Sequence, residues 1–190
     1  MMMTKRAEAG YQTPLAEDNS TEGCGEVFRN RFVAIEMIPS RFGPFTQIKN
    51  GNGTGSAVLI VRDGHILMVK QPRYAVGTSM WEIPRGSAEK MEDLATAALR
   101  EMQEETGLEA QYADLHSLGN IFPDTGILNT EVGLFVAVLP EGRPWVSGDN
   151  EIDDMMWVDA DELVEACAFG QVKDAFTNIA VMRAKLKGLI

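Results

Sequence analysis

Three glutamates near the middle of the sequence have the spacing of a cation site. Glu101, Glu104 and Glu105 fall on one polar arc when residues 91–106 are placed on a helix at about 100° per residue. Like charges four residues apart destabilise a helix by about 0.2–0.5 kcal/mol. A hard cation reverses that sign, because carboxylate oxygens are its preferred ligands. A divalent cation site is one interpretation of this pattern. A solvated acidic helix face is the other, and it is the more common one for a glutamate-rich helix.

The overall charge agrees with a cation between protein and substrate. The chain has 28 acidic and 17 basic residues and a net charge of −11, which argues against a nucleic-acid partner, since such a partner requires a basic stripe. An acidic protein can still bind an anionic phosphate when divalent cations lie between them. Only two cysteines occur, Cys24 and Cys167, which predicts neither a disulfide framework nor a zinc site. The absence of a long apolar run predicts no membrane partner, and we expect a cytoplasmic location.

The elements that must position the glutamates follow from hydrophobic patterning. Strands are predicted over 31–38, 45–49, 56–62, 65–70, 81–84, 111–121, 130–139 and 151–158, and helices over 91–106, 160–168 and 172–187. Asp63-Gly64 is a strong signal for a two-residue hairpin, and Gly107 is placed to end the central helix. This order predicts an α/β (α+β) fold rather than a repeated βαβ array.

Three segments are expected along the chain. Residues 1–25 are predicted to be a mobile tail, because they are polar and rich in Gly, Ser, Thr and Glu. Residues 26–50 form an N-terminal extension of strands. A glycine-rich linker near residue 51 then leads into the main domain, residues 51–190.

The segment from Gly86 to Leu108 resembles the Nudix box at every specified position. Its fixed residues are Gly86, Glu92, Arg100, Glu101, Glu104, Glu105 and Gly107. The resemblance implies a Nudix fold, a mixed β-sheet sandwich flanked by helices, in which the box forms a loop, a helix and a second loop. It also implies two or three Mg²⁺ or Mn²⁺ ions bound by Glu101, Glu104, Glu105 and the backbone carbonyl of Arg85. Glu104 and Glu105 are then catalytic candidates, and the structural roles fall to Gly86, Glu92, Arg100 and Gly107.

Residues outside the box resemble the ADP-ribose pyrophosphatase branch of that family. Gln71-Pro72-Arg73-Tyr74 and Trp81-Glu82-Ile83-Pro84 carry the likeness, and Pro123 lies sixteen residues beyond Gly107. The resemblance implies a homodimer whose N-terminal strands cross to the partner. It also implies substrate contacts from Phe28, Arg73, Glu82, Pro123 and Gly126. A further glutamate near the last strands would serve as base, for which Glu151 is the best local candidate, and a solvated turn acid is the alternative.

The resemblance narrows the choice of substrate but does not decide it. Arg85 stands where a small residue is usual before the box glycine, and the loop 124–129 is more apolar than usual. ADP-ribose, cleaved to AMP and ribose 5-phosphate, is the leading substrate. GDP-mannose, another nucleotide sugar or a dinucleotide is the alternative. A non-catalytic nucleotide sensor is a third interpretation, which the loss of a box glutamate would favour, and none is lost.

Overall fold

The centre of the protein is a mixed β-sheet with helices on both faces. The structure is a computed structural model that describes residues 22–51, 53–140 and 152–190. The described strands are β1 (Gly25–Arg29), β2 (Val33–Ile38), β3 (Phe45–Asn50), β4 (Thr54–Arg62), β5 (His65–Arg73), β6 (Thr78–Glu82), β7 (Arg85–Ser87), β8 (Leu115–Ile121), β9 (Glu131–Val138) and β10 (Asp154–Asp159). The helices are α1 (Leu94–Thr106), α2 (Ala160–Ala168) and α3 (Ala175–Leu186). The predicted mixed α/β class is confirmed.

Strand β4 is the central element of the large sheet. The strand order is β10-β5-β4-β9-β8, with β6 paired to β5 and β7 paired to β4. β4 runs antiparallel to β5 and parallel to β9. The predicted hairpin between β4 and β5 is present, and both Asp63 and Gly64 have the positive φ that such a turn requires. Because both faces of β4 are covered, its sequence is a continuous apolar run rather than an alternating one.

Two hydrophobic clusters hold the helices against the sheet. Val58 and Ile60 of β4 pack with Ala98 and Met102 of α1 on one face. On the other face, neighbouring residues of β4 pack with α3, in a cluster that includes Ala57, Leu59, Val61, Ala180, Val181 and Ala184. The alternation of side chains along one strand therefore fixes α1 and α3 on opposite sides of the sheet.

Helix α1 is shorter than its predicted span, since it begins at Leu94 rather than at residue 91. The Asp93 side chain accepts hydrogen bonds from the backbone N–H groups of Ala95 and Thr96, and Met91 has a φ of 69°, which no α-helix allows. The helix ends as predicted at Gly107, whose φ is 68°. Capping by a side chain thus overrides the helical pattern of the preceding residues.

Two other elements also begin at residues different from the predicted ones, for similar reasons. Asp174 caps α3, so that helix begins at Ala175 instead of residue 172. The first part of the predicted strand 111–121 is a 3₁₀ turn at Tyr112–Asp114, in which the Gln111 N–H donates to the Asp114 carboxylate. No helix within the described residues is long and apolar enough to cross a membrane.

The N-terminal strands form a second sheet of their own. β1, β2 and β3 pair antiparallel in sequence order. Backbone hydrogen bonds tie this sheet to the loop before β9: the Ile48 N–H donates to the Ile127 carbonyl at 2.8 Å, and the Asn129 N–H donates to the Ile48 carbonyl at 2.9 Å. The predicted tail, residues 1–25, falls almost wholly outside the described residues, and the division at residue 51 stays a prediction.

Candidate active site

The C-terminal end of α1 meets the large sheet at the point where strands β5 and β7 separate. β4 pairs with β5 at one end, through Ile60 and Leu67, and with β7 at the other, through Ala57 and Arg85. Glu105 lies in this gap and is almost fully buried. The Gln71 side chain of β5 donates to one oxygen of Glu105 at 2.5 Å. The gap therefore gives a helix carboxylate access to the sheet interior.

Gly86 makes room for the second glutamate. A Cβ atom at Gly86 would overlap the carboxylate of Glu101, so any side chain there would displace that group. Gly86 lies in β7, directly opposite Ser56 of β4, and the Ser56 hydroxyl donates to the Leu94 carbonyl at the start of α1. The box glycine is thus required by the close approach of a helix side chain to a strand.

Arg100 joins the box loop to the box helix. Its guanidinium donates to both oxygens of Glu92 at 3.0 Å, to Glu101 at 2.9 Å and to Glu104 at 2.8 Å. It also donates to the Ser87 carbonyl at 2.9 Å. The bond from Arg100 holds the pKa of Glu92 below its usual range. One cation therefore fixes the loop and restrains two of the three helix glutamates.

The ionised forms of Glu101 and Glu105 are unfavourable at this buried position without a further cation. Burial raises the pKa of Glu105 to about 8; the hydrogen bond from Gln71 opposes this shift, and the nearby charge of Glu101 adds to it. Burial also raises the pKa of Glu101, against the effect of Arg100. Within the part of the chain that the structure describes, the second oxygen of Glu105 is buried and has no hydrogen-bond partner. An acceptor left open beside a second carboxylate is a good fit for a hard cation.

The described residues offer few side-chain donors for a metal ion. Among the described residues, no three Asp, Glu, His or Cys side chains surround a common point. Mg²⁺ is usually held by one or two carboxylates and completes its shell with water and substrate phosphates. Glu101 and Glu105 meet that need, whereas Glu104 is half exposed and tied to Arg100.

A cleft of about 350 Å³ lies beside β7. Its lining residues are Asn50, Thr54, Gly55, Ser56, Arg73, Arg85, Gly86, Ser87, Pro123, Leu128, Thr130, Val132 and Phe176. Arg73 projects into it while both Nε and Nη2 bond the Glu82 carboxylate. Glu82 itself is buried, with a side chain only 1% exposed, and lies under the cleft instead of lining it. Glu82 therefore supports the side chain of Arg73.

Comparison with known proteins decides the family. Residues 52–177 match the model of the NUDIX domain. The chain belongs to the Nudix family. It is 35% identical over 160 residues to an ADP-ribose pyrophosphatase of Bacillus subtilis (strain 168), covering 82% of this chain and 84% of that protein. It is 27% identical over 168 residues to a methanol dehydrogenase activator of Bacillus methanolicus, covering 85% and 90%.

A solved structure shows the same Nudix fold. The crystal structure of an ADP compounds hydrolase superposes with a TM-score of 0.71 over 94% of this chain and 98% of that chain, at 17% identity. At that identity the match shows the fold alone. The family match and the 35% identical relative make this chain a Nudix hydrolase.

Not every residue predicted for the Nudix site lies in the cleft. Pro123 and Arg73 do, but Gly126 is outside the lining, where its N–H bonds the Asp124 carboxylate in a tight turn. Phe28 is exposed on the N-terminal sheet and does not line the cleft of its own chain. Glu151 lies outside the described residues and stays a prediction.

Several residues of this Nudix site were not predicted. Gln71 holds Glu105, and the side chains of Thr130 and Phe176 line the cleft. Asp174, the cap of α3, lies 3.7 Å from Arg85. Gln71 could have been found as the first residue of the Gln-Pro-Arg-Tyr run. Thr130 and Phe176 had no sequence signal, because packing at a distance brings them to the cleft.

Substitution of the box glycine should separate activity from stability. Gly86→Ala is expected to displace the Glu101 carboxylate, which is the far end of a flexible side chain and can move at little cost. We expect kcat/KM to fall by about 100-fold, a loss typical of a misplaced group. The free energy of unfolding should change by less than about 1 kcal/mol. Steady-state kinetics and urea unfolding measure the two effects.

A double variant tests whether Gly86→Ala lowers kcat/KM by displacing Glu101. If Gly86→Ala acts through Glu101, adding it to Glu101→Gln causes little further loss of kcat/KM. Full additivity of the two losses would contradict the proposed contact.

Removing the charge of Glu105 should have opposite effects with and without metal. Because the folded pKa lies near 8 against an ordinary 4.5, ionisation of Glu105 destabilises the metal-free fold increasingly from about pH 4.5 to 8. Glu105→Gln should therefore melt above the wild type in EDTA at pH 8, with the difference vanishing near pH 4. Mg²⁺ should raise the melting temperature of the wild type but not of the variant, and turnover of the variant should fall by more than about 100-fold.

Glu165→Gln is the matched control, since Glu165 is an exposed glutamate on α2. It should behave as wild type in EDTA and in Mg²⁺. If Mg²⁺ raised the melting temperature of Glu105→Gln and of the wild type equally, the assignment of Glu105 as a metal ligand would be wrong.

Proposed function

We propose that this Nudix hydrolase cleaves the diphosphate bond of ADP-ribose and releases AMP and ribose 5-phosphate. One observation carries the reaction class: a buried pair of carboxylates, one with an open acceptor oxygen, lies beside a cleft lined by arginine. The similarity to an ADP-ribose pyrophosphatase over four fifths of both chains supports the substrate. GDP-mannose, other nucleotide sugars and dinucleotides remain the alternatives, favoured by Arg85 in the cleft lining.

The proposed metal ligands are Glu101 and Glu105, joined by Glu104 and the backbone carbonyl of Arg85. Members of this family use divalent metal ions, and we propose two or three Mg²⁺ or Mn²⁺ ions here. When bound, such ions polarise the phosphorus and lower the pKa of an attacking water. The open oxygen of Glu105 and the space at Gly86 support this assignment.

The protein side chains bind and orient the diphosphate. Glu82 accepts from Nε and Nη2 of Arg73, which fixes the plane of the guanidinium at the cleft. The donors that Glu82 leaves free can form charge-assisted hydrogen bonds with phosphate oxygens. Gln71 holds Glu105 in position from the other side. Glu104, Glu105 and Glu151 are the proposed proton acceptors, and Glu151 rests on the sequence alone.

A panel of substrates tests the assignment. With Mg²⁺ present, ADP-ribose should give a higher kcat/KM than GDP-mannose or UDP-glucose, measured from the monophosphate released. Hydrolysis of ADP-ribose tenfold or more slower than another member of the panel would overturn the substrate and leave the reaction class intact. Failure to cleave any of them would overturn the reaction class as well.

We also propose a homodimer formed through the N-terminal sheet. Val27, Phe28 and Phe32 are 65%, 48% and 64% exposed, a large apolar surface for a free monomer. Contact with a second copy would bury it and could bring Phe28 over the partner's substrate. Sedimentation at micromolar concentration should give the dimer mass, and Phe28→Ser with Phe32→Ser should shift it toward monomer.

Phe169→Ser is the control for that experiment. Phe169 is 79% exposed at the end of α2, outside the N-terminal sheet, so its removal should leave the dimer unchanged. A monomer mass for the wild type would remove the proposal.

A further inference from the structure

The buried polar atoms that lack partners gather around one cleft. Within the described part of the chain they are Arg85 Nε, Glu105 Oε2 and Thr130 Oγ1. Arg85 and Thr130 line the cleft, and Glu105 lies close to the backbone N–H of Arg85. Folded proteins leave few such atoms unpaired, and each calls for a ligand, a water or an ion. Glu105 fits the proposed metal, but the Arg85 side chain has no assigned role.

The Arg85 guanidinium is held in position by loose contacts. Its Nη2 atom lies 3.4 Å from Glu82 and 3.7 Å from Asp174, longer than the usual hydrogen-bond length of about 2.9 Å. Its Cζ atom lies 4.5 Å from the centre of the Phe176 ring. The ring and the two carboxylates orient the group. Nη2 donates a long hydrogen bond to Glu82 at 3.4 Å, and within the described residues Nε is buried without a partner, whereas Arg73 donates from two nitrogens to Glu82.

Arg85 also lies between the carboxylates of α1 on one side of the site and Phe176 of α3 on the other. Gly86, its neighbour, lies against the Glu101 carboxylate, and the backbone of Arg85 contacts Glu105. Its side chain points to the other face, toward Phe176 of α3. A phosphate in the cleft would therefore have the acidic end of α1 on one side and a guanidinium on the other. In a protein of net charge −11, that guanidinium supplies positive charge that the carboxylates cannot.

We propose that Arg85 is a substrate-binding residue whose guanidinium binds an anionic oxygen of the substrate's diphosphate. Phe176, Asp174 and Glu82 are its positioning residues. The assignment rests on the proposed function, in that a diphosphate is the group bound. It gives the side chain of Arg85 a role separate from that of its backbone carbonyl.

Binding of a diphosphate that cannot be cleaved tests this directly. Methylenediphosphonate with Mg²⁺ is the probe, and its Kd is measured by calorimetry for the wild type, Arg85→Ala and Arg85→Lys. We expect Arg85→Ala to weaken binding about tenfold or more, as for a lost hydrogen bond to a charged group. Arg85→Lys keeps the charge but loses the planar fork, so a loss of several-fold is expected.

Arg62→Ala is the matched control, because Arg62 also stacks on an aromatic ring, Trp157, but does not line the cleft. Its Kd should equal that of the wild type. Kinetics give a second readout: KM for ADP-ribose should rise in Arg85→Ala more than kcat falls, and millimolar guanidinium ion should partly restore kcat/KM. A purely structural role would give no such rescue.

The outcomes separate this proposal from the proposed function. Unchanged binding of methylenediphosphonate in the Arg85 variants overturns the role of Arg85, whatever the substrate panel shows. Loss of binding in a protein that cleaves no diphosphate supports Arg85 as an anion site and overturns the hydrolase assignment. Should Arg85→Ala fail to fold, Arg85→Lys decides, and wild-type binding in it overturns the proposal.

Discussion

The burial of Glu101 and Glu105 at the end of α1 is the constraint on which the site depends. Carboxylates resist burial, and the pKa of each is raised by it. The neighbouring structure compensates only in part, through Arg100 on one glutamate and Gln71 on the other. The remaining deficit leaves negative charge at the end of α1 that a bound cation would offset.

The course of the sheet makes room for these carboxylates. β4 exchanges one neighbour for another along its length, from β7 to β5, and the gap between them admits the glutamates. A continuous ladder would close that gap with backbone hydrogen bonds. Glu82 at the end of β6 is buried, and it forms ion pairs with Arg73 and Arg85.

The sequence predicted the parts of the site that local spacing determines. The box glutamates, Arg100 and Gly107 lie within one helix and its ends, so a helical repeat places them together. The start of α1 was predicted three residues early, because the cap at Asp93 depends on a backbone turn at Met91. Arg85, Thr130 and Phe176 come from three distant segments. Their meeting depends on how α3 and β9 pack against β4, which no local pattern encodes.

The pairing of Ile48 with the loop before β9 limits how that loop can vary in length. Ile127 and Asn129 are held in register with β3, while Asp124 and Gly126 lie in a turn ahead of that anchor. Residues can be inserted in the turn without moving the anchored part. An insertion after Ile127 would instead shift Leu128 and Thr130, which form a wall of the cleft. Changes in loop length among relatives should therefore accumulate on the turn side of Ile127.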